Sequence, residues 1–203
     1  VNHYRLKIHQ DTDAGSPRDW DNLGTMVCWH QRYNLGDEQP RQDPGDYLRD
    51  LVCRHVGADS RYVPDQHIER ILEKYFVLLP LYLYDHGGLS MNVGGFHCPW
   101  DSGQVGYIHC LKGTEGLTDE QIELILKTEV LQYDSFLRGE CYWFELVEVE
   151  TCSACCCELE ETSDTIGGFI GNDIDELIKE ALTHFGMTDR EDEVEVIEEI
   201  QYS

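Results

Sequence analysis

Past position 139 the chain carries 19 Asp and Glu residues but only two Lys and Arg, a net charge of −17 across its last 64 residues. So many carboxylates cannot be packed into a core, because an isolated ionised group is costly to take out of water. The segment has to form sheet edges, solvated helix faces or a surface that meets positive charge. Residues 1–139 hold 21 acidic and 13 basic residues, a net of −8, so the charge is concentrated at one end of the sequence. The total of −25 opposes unaided attraction to DNA, RNA or an anionic membrane. Within the acidic segment, Glu191, Asp192, Glu193, Glu195, Glu198 and Glu199 alternate with apolar residues. Two readings fit: an acidic face on which a basic protein docks as it would on nucleic acid, or a solvated edge strand or final helix. Salt adaptation is a third source of such acidity.

Length and composition allow a packed fold around this charge. The chain has 203 residues, of which 41% are hydrophobic and 10% aromatic, enough for a core without disulfide or metal support. No apolar run reaches the roughly 18 residues of a membrane span; the longest apolar-rich stretch, Tyr75 to Tyr84, contains Pro80. The first residues show no secretory pattern, and nine cysteines form no evenly spaced framework. Reduced thiols in a cytosol are the expectation.

Periodicity predicts the elements. Tyr4 to His9 alternates as a strand, and a short strand follows Gly24. Pro44 opens a helix to about His55, with Tyr47, Leu48, Leu51 and Val52 on one face, and Pro64 opens another. Phe76 to Tyr84 is apolar on both faces and reads as a central strand, with Pro80 expected at its start or at a bulge. Gln104 to Leu111 is a strand, Thr118 caps a long helix, and Cys141 to Val149 is a strand. Ile166 to Gly171 reads as a glycine-rich connection, and a last helix runs over about 172–185. There is no regular βαβ rhythm. The fold expected is α+β: one domain with a mixed or antiparallel central sheet and three to four helices. Residues 1–150 would form the core, and residues 151–203 an acidic segment packed on it.

Three groups of residues carry possible chemistry. Asp85 and His86, followed by His97, Cys98, Asp101 and Ser102, supply a nucleophile, bases and carboxylates within 18 residues. The same sequences are turn formers, with Trp100 packing over a sheet. Trp20, Asp21 and Asn22 occupy a comparable aromatic loop and are expected to converge with Asp85, His86, Trp100 and Asp101. Cys152, Cys155, Cys156 and Cys157 contain one C-x-x-C, compatible with a zinc ligand pair, a redox pair or inert thiols. The expectation is no metal and no cofactor, with Glu158, Glu160 and Glu161 raising the thiol pKa values. Phosphate-loop signatures and basic aromatic patches are missing from the sequence.

Several stretches resemble a known family. They are Ser16 to Met26, Arg32 to Asp37, Leu79 to Gly88, Cys98 to Tyr107, and Tyr133 to Glu140. Together they resemble uncharacterised proteins of bacteriophages and conjugative elements, which typically read P-L-Y-L-Y-D-H-S-G, then C-P-W-D-S-G-Q-V-G, then Y-D-x-Y-L-x-G-E. The resemblance spans about residues 4–185. Gly87 stands where the family usually has Ser, and the Cys155–Cys157 run looks like an addition. The family has no settled activity and assigns no catalytic residue. What the resemblance implies is a small acidic mobile-element protein in the host cytoplasm. It would bind and block a basic, nucleic-acid-handling or defence protein of the host, without touching nucleic acid or membrane itself. Glu191, Asp192, Glu193, Glu195, Glu198, Glu199, Trp20, Asp21 and Trp100 are the binding residues expected. The alternative is a small hydrolase or transferase using Cys98, His86, Asp85 and Asp101.

Overall fold

Alternation at the N-terminus and a long apolar strand near residue 80 seed two separate sheets. The structure is a computed structural model and describes residues 3–57 and 63–198. The chain is α+β, with four α-helices and two mostly antiparallel four-stranded sheets. It divides into two compact units, one of residues 16–137 and one of residues 1–15 with 138–203. Two sheets thus replace the single central sheet expected. The division also falls elsewhere than after residue 150, because the strand crossing that position pairs on both sides.

In residues 16–137 the strands are β2 (Thr25–Cys28), β3 (Phe76–Asp85), β4 (Leu89–Asn92) and β5 (Ser102–Leu111), in the order β2-β5-β3-β4. Helices α1 (Pro44–Val56), α2 (Asp65–Tyr75) and α3 (Asp119–Leu137) accompany them. Asp43 caps α1 by accepting from the Asp46 N–H at 3.0 Å. Thr118 caps α3 in a reciprocal box: its Oγ1 accepts from Gln121 N–H, and Gln121 Oε1 accepts from Thr118 N–H. Ile122, Leu126, Val130 and Tyr133 of α3 are buried with Met26, Leu81, Leu83, Met91 and Ile108 of the sheet. Pro80 lies just before a register shift at Leu81/Tyr82, and β4 pairs with β3 only from Tyr82 onward. At Pro80 the β4 side of β3 is therefore an unpaired edge, where a residue without an N–H is tolerated. Gly106 lets β2 and β5 approach, since a Cβ there would stand 2.0 Å from the Val27 carbonyl oxygen.

The other sheet runs β7-β6-β1-β8. Its strands are β1 (His3–Gln10), β6 (Cys141–Thr151), β7 (Glu158–Ile170) and β8 (Val194–Glu198), and α4 (Ile174–His184) packs on it. Leu6 and Ile8 of β1, Phe144 and Leu146 of β6, and Leu177, Ala181 and Leu182 of α4 share one core. Asp173 caps α4, its side chain accepting from the Glu176 N–H. Ile166 to Gly171, read from sequence as a connection, is instead mostly the end of β7. That strand escapes detection because residues 158–165 are all exposed and have no apolar alternation. The two acidic strands β7 and β8 are the sheet's two edges. Charge there discourages edge-to-edge association of chains.

Candidate functional site

The acidic surface is partly neutralised from within its own sheet. Arg5 and Lys7 alternate with buried Leu6 and Ile8 and so project from the face opposite α4. Arg5 donates to Glu195 of β8 at 2.7 Å, and to Glu160 and Glu158 of β7 at 2.7 Å each. Lys7 donates to Glu160 at 2.6 Å. Reaching β7 from β1 takes both side chains across β6, where Val147 and Val149 are buried, so their aliphatic stems help cover apolar surface. The bonds from Lys7 and Arg5 hold the Glu160 carboxyl below its usual range.

Of the acidic residues singled out in the sequence, Glu195 is thus engaged by Arg5. Glu193 is paired with Arg190, whose guanidinium also lies 4.9 Å from the Tyr4 ring centroid. Asp192 and Glu198 are exposed. Glu199 and the side chain of Glu191 lie outside the described residues. Further exposed carboxylates, which the sequence reading did not select, are Glu161 and Asp164 on β7 and Asp175, Glu176 and Glu180 on α4. Their signal was present in the −17 of the segment, but the edge position of β7 was not.

The polar loops at the start of β5 do converge. Asp85 N–H donates to the Asp101 carbonyl at 2.9 Å, joining the end of β3 to the turn before β5. Asp101 Oδ2 accepts from the Cys98 thiol at 3.4 Å and lies 3.5 Å from His86 Nδ1. Ser102 Oγ donates to the Cys98 carbonyl at 2.6 Å, and Asp85 is paired with Arg32 and with the Tyr33 hydroxyl. The thiol and the imidazole therefore meet the same carboxylate oxygen, and the carboxylate stands where a relay would need the imidazole. A nucleophilic relay requires the imidazole to stand between thiol and acid. Trp100, 93% exposed, caps nothing in this cluster.

Trp20, Asp21 and Asn22 lie elsewhere. Their loop leads into Thr25, which pairs with His109 near the far end of β5, whereas Trp100 precedes its start. Seven residues of strand at about 3.3 Å each separate the two loops along β5. The expected convergence of the two tryptophan loops does not occur. The Trp20 loop is organised by Arg18, which donates to Asp37, Glu129, Asn22 and the Gly24 carbonyl.

A third polar group was missed in the sequence. Tyr47 of α1 is buried, and its hydroxyl lies 3.1 Å from Glu38 and 3.2 Å from His109 Nε2 of β5. With the hydroxyl donating to Glu38, its oxygen accepts from the Nε2–H of a neutral imidazole. Burial, aided by Arg54, pushes His109 down to about 4, and burial with Glu38 pushes Tyr47 up to about 12. The chain borders an open cavity of about 940 Å³ whose wall includes Gln39, Pro40, Asp50 and Arg54. Among the described residues no buried side-chain polar atom lacks a partner, so this chain is internally satisfied. Nothing in the spacing of Glu38, Tyr47 and His109 along the sequence marks them as neighbours.

Among the described residues no three His, Cys, Asp or Glu side chains are arranged to hold a metal ion, and no helix is long and apolar enough to cross a membrane. Compared with protein-family models, curated proteins and solved structures, the chain matches none.

Proposed function

We propose that this is an acidic binding protein of the mobile-element type, which occupies the nucleic-acid-binding surface of a basic host protein and blocks it in the host cytoplasm. The observation that carries the reading is the set of exposed carboxylates on β7 and α4 that Arg5 and Lys7 do not neutralise. Rows of such groups repel nucleic acid and attract the Lys- and Arg-rich surfaces that bind it. The Cys98 cluster gives less support to the enzyme alternative, because its thiol bonds to Asp101 with no imidazole between them. The resemblance to bacteriophage and conjugative-element proteins supplies the setting, and the basic partner would be a nucleic-acid-handling or defence protein.

The test is capture of host proteins on the immobilised chain, followed by elution with salt or with duplex DNA. The reading expects a basic nucleic-acid-binding protein that DNA displaces competitively and that salt releases, since exposed charges are screened beyond about 8 Å at physiological ionic strength. Reversal of Glu161, Glu176 and Glu180 to Lys should weaken capture at least tenfold. Unchanged affinity in that variant would sink the proposal.

A further inference from the structure

The turn joining β6 to β7 brings three thiols together. Cys152 N–H donates to the Cys157 carbonyl at 2.8 Å, so these two residues face each other at the hairpin's end. Cys156 N–H donates to the Cys152 carbonyl at 2.8 Å, which winds Ser153 to Cys155 into a single helical turn. Cys156 itself takes φ +57°, a left-handed conformation that reverses the chain. The result gathers Cys152, Cys155 and Cys157 in one tight turn, with Cys157 Sγ 3.9 Å from the Cys155 carbonyl oxygen.

The electrostatics differ from the sequence expectation. The Cys155 thiol is shifted down by hydrogen bonding with Cys157 and then with Cys152. Of the three carboxylates expected to oppose a thiolate here, Glu158 and Glu160 turn to Arg5 and Lys7, while Glu161 is exposed. Cys157 is shifted up by its bond to Cys155. All four turn cysteines are exposed, whereas Cys28, Cys53, Cys110 and Cys141 are buried. Burial pushes Cys28 up to about 12 and Cys141 up to about 11. A reactive thiol needs thiolate character and access, and in this chain Cys155 combines them.

We propose that the Cys152–Cys157 turn is a thiol–disulfide exchange site for low-molecular-weight disulfides, with Cys155 as the attacking thiol and Cys152 as the resolving one. The Cys155 thiolate attacks one sulfur of R–S–S–R. The S–S bond breaks, the first R–S⁻ leaves and is protonated from solvent, and Cys155 holds a mixed disulfide. The Cys152 thiolate then attacks the Cys155 sulfur and expels the second R–S⁻, closing a Cys152–Cys155 disulfide. Two cysteine thiols are oxidised, one external disulfide is reduced to two thiols, and two protons pass to the products. Cys152 is assigned the second step because two residues of helical turn separate it from Cys155. Only the left-handed Cys156 separates Cys157 from Cys155, which would force a smaller and more strained ring. The site is independent of the docking function proposed above.

The test uses the full reduced chain with oxidised glutathione under native conditions, quenched with acid and mapped by mass spectrometry. The wild type should form the Cys152–Cys155 disulfide and retain no glutathione. Cys152→Ser should stop at one glutathione on Cys155. Cys155→Ser should slow the first modification about tenfold or more, and Cys157→Ser should still form the disulfide. Alkylation of the unmutated chain gives a second measurement that needs no variant: Cys155 should be the first thiol labelled as pH rises. Oxidation of Cys155→Ser at the wild-type rate, first labelling at Cys98, or a disulfide joining Cys155 to Cys157 would each overturn the assignment.

Discussion

Arg18 and Arg5 each gather carboxylates from distant parts of the sequence, one in each unit, in opposite surroundings. The Arg18 side chain is 4% exposed, and its partners Asp37 and Glu129 are 25% and 10% exposed. Those carboxylates also accept backbone N–H groups, Asp37 from Met26 at 2.7 Å and Glu129 from Leu23 at 2.7 Å. The network therefore fixes the loop from Ser16 to Gly24 against α3, where no regular ladder does so. Arg5 joins side chains on strands whose register is already set by backbone pairing, and its partners are 36–56% exposed. The same ion-pair chemistry specifies a loop in one unit and quiets a crowded acidic face in the other.

Breaking the buried centre should have the largest effect. Arg18→Ala strands two partly buried carboxylates and the Gly24 carbonyl, a loss of about 3–5 kcal/mol for a buried pair deprived of one partner. Urea unfolding of the isolated chain should show this as a fall in midpoint. Arg18→Lys should recover little, because a single ammonium cannot replace a fork that bonds Asp37 twice and Glu129 once. A loss below about 1 kcal/mol for Arg18→Ala would mean that the loop is held by its backbone alone.

The comparison sharpens with pH. His109 is buried and neutral, its pKa lowered from 6.5 to about 4 by burial and then by Arg54. Protonation is thus easier in the unfolded chain, which binds more protons than the folded one between these two values. The contribution of His109 to stability is complete above the unfolded pKa and is lost as pH falls toward the folded one. The expected loss is about 2 kcal/mol between about pH 7 and about pH 5, and His109→Gln should flatten that part of the profile. The exposed ladder of the other unit contributes in a different window. The Glu160 carboxyl is lowered by Lys7 and Arg5, so its contribution is present above the usual carboxylate range and lost as pH falls through the folded value. Urea midpoints across pH would separate the two. A wild-type profile that His109→Gln reproduces would show that the imidazole is not the responsible group.

How much of this was legible follows from periodicity and reach. The helices were readable because α1 and α3 have apolar stripes, with Pro44 and Thr118 at their starts. β7 was not, because an edge strand with an exposed Leu159 and acids on both faces has no alternation to detect. The resemblance motifs turn out to be bonded to one another: Arg18 to Asp37, Arg32 to Asp85, and Gly36 N–H to the Tyr133 hydroxyl. They hold the loops of one unit together. The pairing of Arg5 with residues more than 150 positions away depends on strand order, which no local pattern encodes. The cysteine turn was legible in composition but not in chemistry, since the fate of the Glu158 and Glu160 charges rests on that same strand order.

The smallest stability effect expected is also the one that tests the proposed docking surface most directly. Arg5 is not needed to set the register of β1, which pairs with β6 over eight residues and with β8 over five. Arg5→Ala should therefore leave cooperative folding intact, with a loss of stability smaller than that of Arg18→Ala and reduced further by salt. Its effect on binding should run the other way. Removing the guanidinium frees Glu158, Glu195 and part of Glu160, adding uncompensated negative charge to both edge strands. Association with a basic partner should then become faster and its salt dependence steeper, because added surface charge acts mainly on the encounter rate. Stopped-flow association with a captured basic partner, measured at two ionic strengths on wild type and Arg5→Ala, would read this out. Equal rates at low salt would show that the partner approaches away from these strands, and slower binding by the variant would assign the ladder itself to the interface.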